Sequence, residues 1–255
     1  MNSLSTHSLT VSIGDTLVCQ DLNWHIEPEQ VWGILGINGS GKTTLLHTLA
    51  GLRAPQSGQV LIDDFELSHL TRRDIAQKLG VLFQDHNSLF PASVLEIALN
   101  GRHPHLHAWQ SETNDDKQIA INALKKVGLD GMQERNILTL SGGEQQRLAM
   151  ATLLVQTPSL YLLDEPHNHL DPHQQIKLLD MFTATTGNAK ASLCMTLHDM
   201  NLAARYCTHT LLLLGNGETR LGPHDECMTE ANLSQLYAHP IKRINGPKHP
   251  IWLPE

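Results

Sequence analysis

Residues Gly36-Ile37-Asn38-Gly39-Ser40-Gly41-Lys42-Thr43 read G-x-x-x-x-G-K-T, and this octet constrains the chain more than any other stretch. The apolar run Val31-Trp32-Gly33-Ile34-Leu35 before it suits a buried strand. Thr44-Leu45-Leu46-His47-Thr48-Leu49-Ala50 after it places apolar residues at helical spacing. Strand, glycine-rich turn and helix in that order make a phosphate cradle. The glycines let successive backbone N–H groups point inward at a polyphosphate, and the helix adds its positive N-terminal end. Lys42 then reaches the β- and γ-phosphates and the Thr43 hydroxyl ligates Mg²⁺, with Thr44 beside them in the same nucleotide site.

A chain of 255 residues can bury a substantial core as one large domain or two small ones. No apolar run approaches the ~18 residues that would span a bilayer. The opening Met1-Asn2-Ser3-Leu4-Ser5-Thr6-His7 lacks a basic region followed by an apolar one, so no secretory signal is expected. The four cysteines, Cys19, Cys194, Cys207 and Cys227, show no metal-ligand spacing and read as reduced thiols. The formal charge of −8, with Lys and Arg dispersed, argues against a nucleic-acid binder held by a basic face. The class is soluble, globular and intracellular, and the 16 histidines can shift its net charge below about pH 6.5.

Residues 9–13 and 17–26 read as strands joined at Gly14-Asp15. Pro55-Gln56-Ser57-Gly58 breaks the chain before a strand at 59–62. A helix is expected from Thr71 until Gly80 stops it, then a short strand at 81–83 delivering Gln84. From residue 85 to about 140 the character changes, with helical patterns at 93–100 and 115–127 and Ser93 and Asn114 as N-caps. Residues 101–113 between them are rich in His, Pro and polar types, as in a loop. A helix from about 143, a strand at 160–163 and a helix from about 173 follow. Then come a strand at 191–197, a helix at 200–207 and a strand at 210–214. This alternation predicts an α/β fold with a mainly parallel sheet covered on both faces. Residues of about 86–156 would form a helical subdomain inserted into the α/β core of a single domain spanning 1–255.

The strand at 160–163 ends in Asp164-Glu165. Lying beside the phosphate-loop strand, it would set Asp164 to hold Mg²⁺ through water and Glu165 to polarise a water for attack on the γ-phosphate. Taken alone, the pair could simply cap the turn at Pro166. Leu140-Ser141-Gly142-Gly143-Glu144 adds a second anion-binding helix start, with the Ser141 hydroxyl as a further donor. One nucleotide does not need two such elements from the same chain.

Through these residues the chain resembles the ATP-binding cassette (ABC) ATPases, whose signature is usually LSGGQ. The resemblance runs over about residues 9–237 and implies a nucleotide-binding domain of the P-loop NTPase fold, with an antiparallel β region beside the parallel core. It implies that two copies pack head to tail, each ATP lying between one phosphate loop and the partner's Ser141, Gly142, Gly143 and Glu144. Gln84 resembles the Q-loop glutamine, which senses Mg²⁺ and γ-phosphate next to a membrane subunit. Asp164 and Glu165 match the Walker B aspartate and the catalytic glutamate. Asp171, in His167-Asn168-His169-Leu170-Asp171, matches the D-loop aspartate. His198 resembles the switch histidine that hydrogen-bonds the γ-phosphate. Three positions depart from the family pattern: Ile13 replaces an adenine-stacking aromatic, Glu144 replaces Gln, and His167 stands where Thr or Ser is frequent.

Within that family, repair and chromosome-organising members carry long coiled-coil insertions, whereas about a hundred residues separate the two motifs here. Translation factors carry two cassettes, and exporters often fuse cassette and membrane domain. The resemblance therefore implies an ATPase subunit on the cytoplasmic face of the inner membrane. Its partners would be a second copy, two integral-membrane permease subunits and, indirectly, a solute-binding protein, with no nucleic acid. Gly101-Arg102-His103-Pro104-His105 is similar to the G-R-x-P-H segment of metal-chelate importers. The stretch His198-Asp199-Met200-Asn201-Leu202-Ala203-Ala204-Arg205-Tyr206 is similar to their H-D-L-N-L-A-A-R-Y, and the ending Leu233-Ser234-Gln235-Leu236-Tyr237 is in their style. Those systems import cobalamin, ferric siderophores or haem. Molybdate or other small-solute importers, and further off a soluble non-transport ATPase, are the alternatives. His103, His105 and His107 alternate as a chelating triad would, but Pro104 and a loop setting favour polar residues near the membrane subunit.

Overall fold

The computed structural model describes residues 3–83, 91–107, 109–166 and 171–255 of the chain. Strands β1 (Leu4–Ile13) and β2 (Thr16–Ile26) pair antiparallel across the Gly14-Asp15 turn. β1 begins at Leu4 rather than at residue 9 because Ser8, at φ 45°, forms an irregularity that interrupts the strand alternation. β3 (Val31–Leu35) is buried throughout and leads through the glycine loop into α1 (Lys42–Leu49). β4 (Ser57–Ile62) and the short β5 (Phe65–Glu66) complete a four-stranded antiparallel sheet of order β2-β1-β4-β5. Ser57 and Gly58, expected in a breaker, thus belong to a strand, with Ser57 opposite Thr10.

The Thr71 side chain and Asp74 form a reciprocal capping box at the start of α2 (Arg72–Lys78). The helix ends before Gly80, because Leu79 already has extended φ and ψ, and Gly80 lies inside β6 (Leu79–Leu82). Ser93 and Glu96 cap α3 (Val94–Leu99) in the same way. A 3₁₀ stretch, Asn100–His105, replaces part of the expected loop. Thr113, not Asn114, caps α4 (Asn114–Lys126), because its hydroxyl and Asp116 make the reciprocal pair. α5 (Gly142–Gln156) packs against α3, α4 and the 3₁₀ stretch.

The chain then alternates through β7 (Leu160–Leu163), α6 (Pro172–Ala189), β8 (Ser192–Leu197), α7 (Met200–Tyr206) and β9 (His209–Gly215). Past the predicted elements come β10 (Glu218–Pro223), α8 (His224–Cys227), α9 (Glu230–Tyr237) and a hairpin of β11 (Ile241–Ile244) and β12 (Ile251–Pro254). The central sheet has six strands in the order β10-β9-β3-β8-β7-β6, parallel except for β10.

Period-2 alternation divides this sheet between two cores. In β7, Tyr161 and Leu163 face the larger core with α3 to α6, while Leu160 and Leu162 face the one containing β1, β2, β4 and α1. In β3, Val31 and Leu35 go with the first core, and Trp32 and Ile34 with the second. Burial on both faces is why these strands read as unbroken apolar runs. The order also corrects one expectation: β7 does not adjoin β3, since β8 lies between them. All four cysteines are free and buried.

Candidate functional site

The site forms where β3, β8 and β7 end. Gly41 caps α1 at φ 91°, where L side chains are strained, and an added Cβ would lie 2.4 Å from Val18 Cγ2. Glycine is required there on both counts. No side chain caps α1, so its first N–H groups stay available to an anion. The Lys42 side chain, 4% exposed, turns back over the loop and donates to the Gly36 carbonyl at 2.9 Å and the Ile37 carbonyl at 3.2 Å. Burial lowers the Lys42 ammonium from its ordinary pKa, and the Glu165 and Asp164 carboxylates oppose that shift. Ser40 Oγ is shut from solvent with no hydrogen-bond partner among the described residues.

Parallel register sets the acidic residues relative to this loop. Leu35 pairs with Leu197, and Leu163 with Met195, so Thr196 and His198 fall at the sheet edge with Asp164 and Glu165. Asp164 is 1% exposed. Thr196 connects the two acidic positions: its hydroxyl donates to Asp164 Oδ1 at 2.8 Å and accepts the Glu165 N–H at 2.7 Å. Glu165 sits at φ 45°, in the left-handed region, which turns it out of line with β7. Its carboxylate accepts from His198 Nε2, while Lys42 Nζ lies 3.3 Å from His198 Nδ1. Lys42 can only donate to Nδ1, which places the ring proton on Nε2, facing Glu165. One chain of contacts therefore runs Lys42–His198–Glu165 across strands that are far apart in sequence.

The His198 backbone is held from the C-terminal segment. Tyr237 donates to its carbonyl at 3.2 Å. Asn201, the second residue of α7, exchanges two hydrogen bonds with the Trp252 backbone at 2.8 and 3.1 Å. Sequence reasoning missed Thr196, Tyr237, Asn201 and Trp252. For Thr196 the signal was its place in a buried strand two residues before His198.

Ile13, Asn38, Gly39, Gly41, Lys42, Thr43, Thr44, Glu165 and His198 line one open cleft of about 660 Å³. Ile13, 38% exposed, presents its side chain where an aromatic residue was the family expectation. Ser141, Gly142, Gly143, Glu144 and Asp171 are not among the lining residues. Ser141 caps α5 instead: its hydroxyl donates to Glu144 Oε2 at 2.8 Å, and its N–H donates to the same oxygen at 2.7 Å. Those bonds, with Arg135 at 3.1 Å, hold the Glu144 carboxyl below its ordinary pKa, the Ser141 N–H contributing most. Asp171 caps α6 by accepting the Gln174 N–H at 3.0 Å. Gln84 and residues 167–170 lie outside the described residues.

The Gly101–His105 segment is a structural brace. Arg102 Nε donates to Asp116 at 2.8 Å and His105 Nε2 lies 2.8 Å from the Gln156 carbonyl. The Pro104 carbonyl accepts from Arg73 at 2.9 Å and Gln77 at 2.7 Å. Among the described residues no cluster of three or more His, Cys, Asp or Glu could hold a metal ion, and no helix is long and apolar enough to cross a membrane.

A family model described as ABC transporter matches residues 19–168. The hemin import ATP-binding protein HmuV of Bordetella pertussis (strain Tohama I) is 34% identical over 244 residues, covering 92% of each chain. The ferric enterobactin transport ATP-binding protein FepC of Escherichia coli (strain K12) is 30% identical, covering 96% of this chain and 90% of FepC. Among solved structures, an inward-facing putative metal-chelate type ABC transporter aligns with a TM-score of 0.85 at 27% identity, covering 99% of this chain and 97% of that one.

Proposed function

The chain belongs to the ABC transporter family and is an ATPase, and on that premise we propose that it powers import of a metal chelate through separate membrane subunits. Ferric siderophores and haem are the preferred cargo, with cobalamin in the same chemical class. The cargo class rests on the relatives' import systems and on the Gly101–His105 and His198–Tyr206 segments. The observation that carries the ATPase mechanism is the Lys42–His198–Glu165 chain at the mouth of the phosphate-loop cleft.

In this reading the loop from Gly36 to Thr43 wraps the phosphates of ATP, and Lys42 exchanges its bonds to Gly36 and Ile37 for phosphate oxygens. Ile13 covers the base side of the cleft. Glu165 accepts a proton from the attacking water; His198 holds Glu165 beforehand and, once ATP enters, turns its one Nε2–H from Glu165 to the γ-phosphate. The donor set suits Mg²⁺: Asp164 is a buried carboxylate with one oxygen held by Thr196, and Thr43 adds a hydroxyl. Asp164, Thr43 and Gln84 would hold the ion, which when bound neutralises phosphate charge.

The cleft lacks Ser141 to Glu144, and this supports a head-to-tail dimer in which the partner supplies that element. Residues 1–255 act as one nucleotide-binding domain, whose helical part, about 86–156, faces two permease subunits at the cytoplasmic side of the inner membrane. Closing the dimer on MgATP and reopening it after hydrolysis moves those subunits between their two states, and a solute-binding protein delivers cargo from the other side.

Tagged chain purified from its native membranes should bring down a multispanning permease. Uptake of a labelled ferric siderophore or haem should stop with Glu165→Gln. Recovery only with DNA or ribosomes, or uptake unchanged for every metal chelate, would refute the reading.

A further inference from the structure

A second cavity, of about 280 Å³, lies where the end of α4, one face of α5 and the first turns of α6 meet. Its charge is one-sided. Lys126, Arg147, His173 and Lys177 all line it, and no Asp or Glu does. None of the four makes an ion pair or side-chain hydrogen bond among the described residues, and Arg147 Nε is shut from solvent without a partner. A buried guanidinium N–H with no acceptor is costly, and the two neighbouring lysines, Lys126 and Lys177, increase that cost. Glu144, one turn before Arg147 on α5, acts on its charge only from a distance and is hydrogen-bonded to Ser141 and Arg135, while Asp171 accepts the Gln174 N–H. α6 is 18 residues long and presents its positive end here through His173 and Gln174. The floor is apolar, from Val127, Met150 and Leu178, all buried.

We propose that this cavity binds a small organic anion carrying two or more negative charges on an apolar body. Its charge meets Arg147, Lys126, His173 and Lys177 while its body covers Val127, Met150 and Leu178. The volume, near the lower end of the roughly 300–1,000 Å³ range of ligand pockets, limits the ligand to a compact molecule. A phosphate monoester and a dicarboxylate share the required chemistry. Such a ligand ties α5, which begins at Ser141, to α6, which Asp171 caps, and so alters ATP turnover without entering the nucleotide cleft.

The test uses the full chain carrying Lys42→Ala, so that phosphate probes do not report on the nucleotide loop. The result is then independent of whether the chain drives transport. Phenyl phosphate, phthalate and inorganic phosphate are titrated calorimetrically. Saturable one-to-one binding of an aryl probe is expected, about tenfold weaker for inorganic phosphate, which lacks the apolar body. The tighter of the two aryl probes identifies the anion type. Lys126→Ala with Lys177→Ala, two exposed side chains whose loss spares the fold, should weaken binding about tenfold or more, as should Arg147→Gln. No saturable binding up to about 10 mM, binding unchanged in the lysine double variant, or inorganic phosphate matching the aryl probes would each overturn the proposal.

Discussion

Thr196 shows how a single hydroxyl can align two carboxylates. It donates to Asp164 and accepts from the Glu165 N–H, so one side chain sets the proposed metal ligand and the backbone of the proposed base together. Thr196→Val keeps the shape but leaves a buried carboxylate oxygen and an N–H without partners, at a cost of about 1–3 kcal/mol. Urea unfolding should read that loss, ATPase activity should fall with it, and Thr196→Ser should restore both. An unchanged midpoint and unchanged turnover would contradict the positioning role. Glu165→Gln keeps the His198 contact possible but removes the proposed base. Turnover should fall by about 10²–10⁴ with ATP affinity unchanged, measured by phosphate release and nucleotide titration. Wild-type turnover in that variant would move the base elsewhere.

At the scale of elements, the segment from Gly101 to His105 acts as a joint. Arg102, Pro104 and His105 connect α2, α4 and the end of α5, so the helical layer is held to the β6 side of the core by bonds rather than by packing alone. Asp116 is central to it. The Thr113 N–H and hydroxyl, then Arg102, hold its carboxyl down from 3.8 to about 2. A depressed carboxylate contributes stability above its unfolded pKa and loses it as pH falls through the folded value. The contribution is therefore complete above about pH 4 and fades toward pH 2. Arg102→Ala should lower stability at neutral pH and narrow its gap to wild type as the pH drops through that window, as read by thermal melts. A gap independent of pH would mean that Arg102 acts only through packing. The C-terminal segment is a second joint: Tyr237 in α9 and Trp252 in β12, both outside the predicted elements, fix the backbone around His198, Trp252 by way of Asn201 in α7.

For the whole molecule, the proposed head-to-tail dimer rests on where residues 141–144 lie. The cleft holds the phosphate loop, Glu165 and His198 but none of residues 141–144, so a protomer should bind ATP and turn it over slowly. ATPase activity per protomer should fall on dilution, and Glu165→Gln with ATP should run as a dimer by light scattering. Constant specific activity across dilution, with a monomeric Glu165→Gln–ATP complex, would contradict a shared site.

Sequence alone determined the glycine loop between β3 and α1, the acidic end of β7, the Ser141-to-Glu144 helix start and the strand–helix alternation. Each depends on residues that are neighbours in the chain, where spacing and local backbone conformation carry the information. The tertiary structure decided that β8 separates β3 from β7, that Thr196 joins Asp164 to Glu165, and that the C-terminal segment braces His198. It also left the Ser141 element outside the cleft that holds Lys42. These facts come from pairing between strands and helices far apart in sequence. Parallel strands buried on both faces all read as similar apolar runs, so nothing local in them specifies which neighbour each will take.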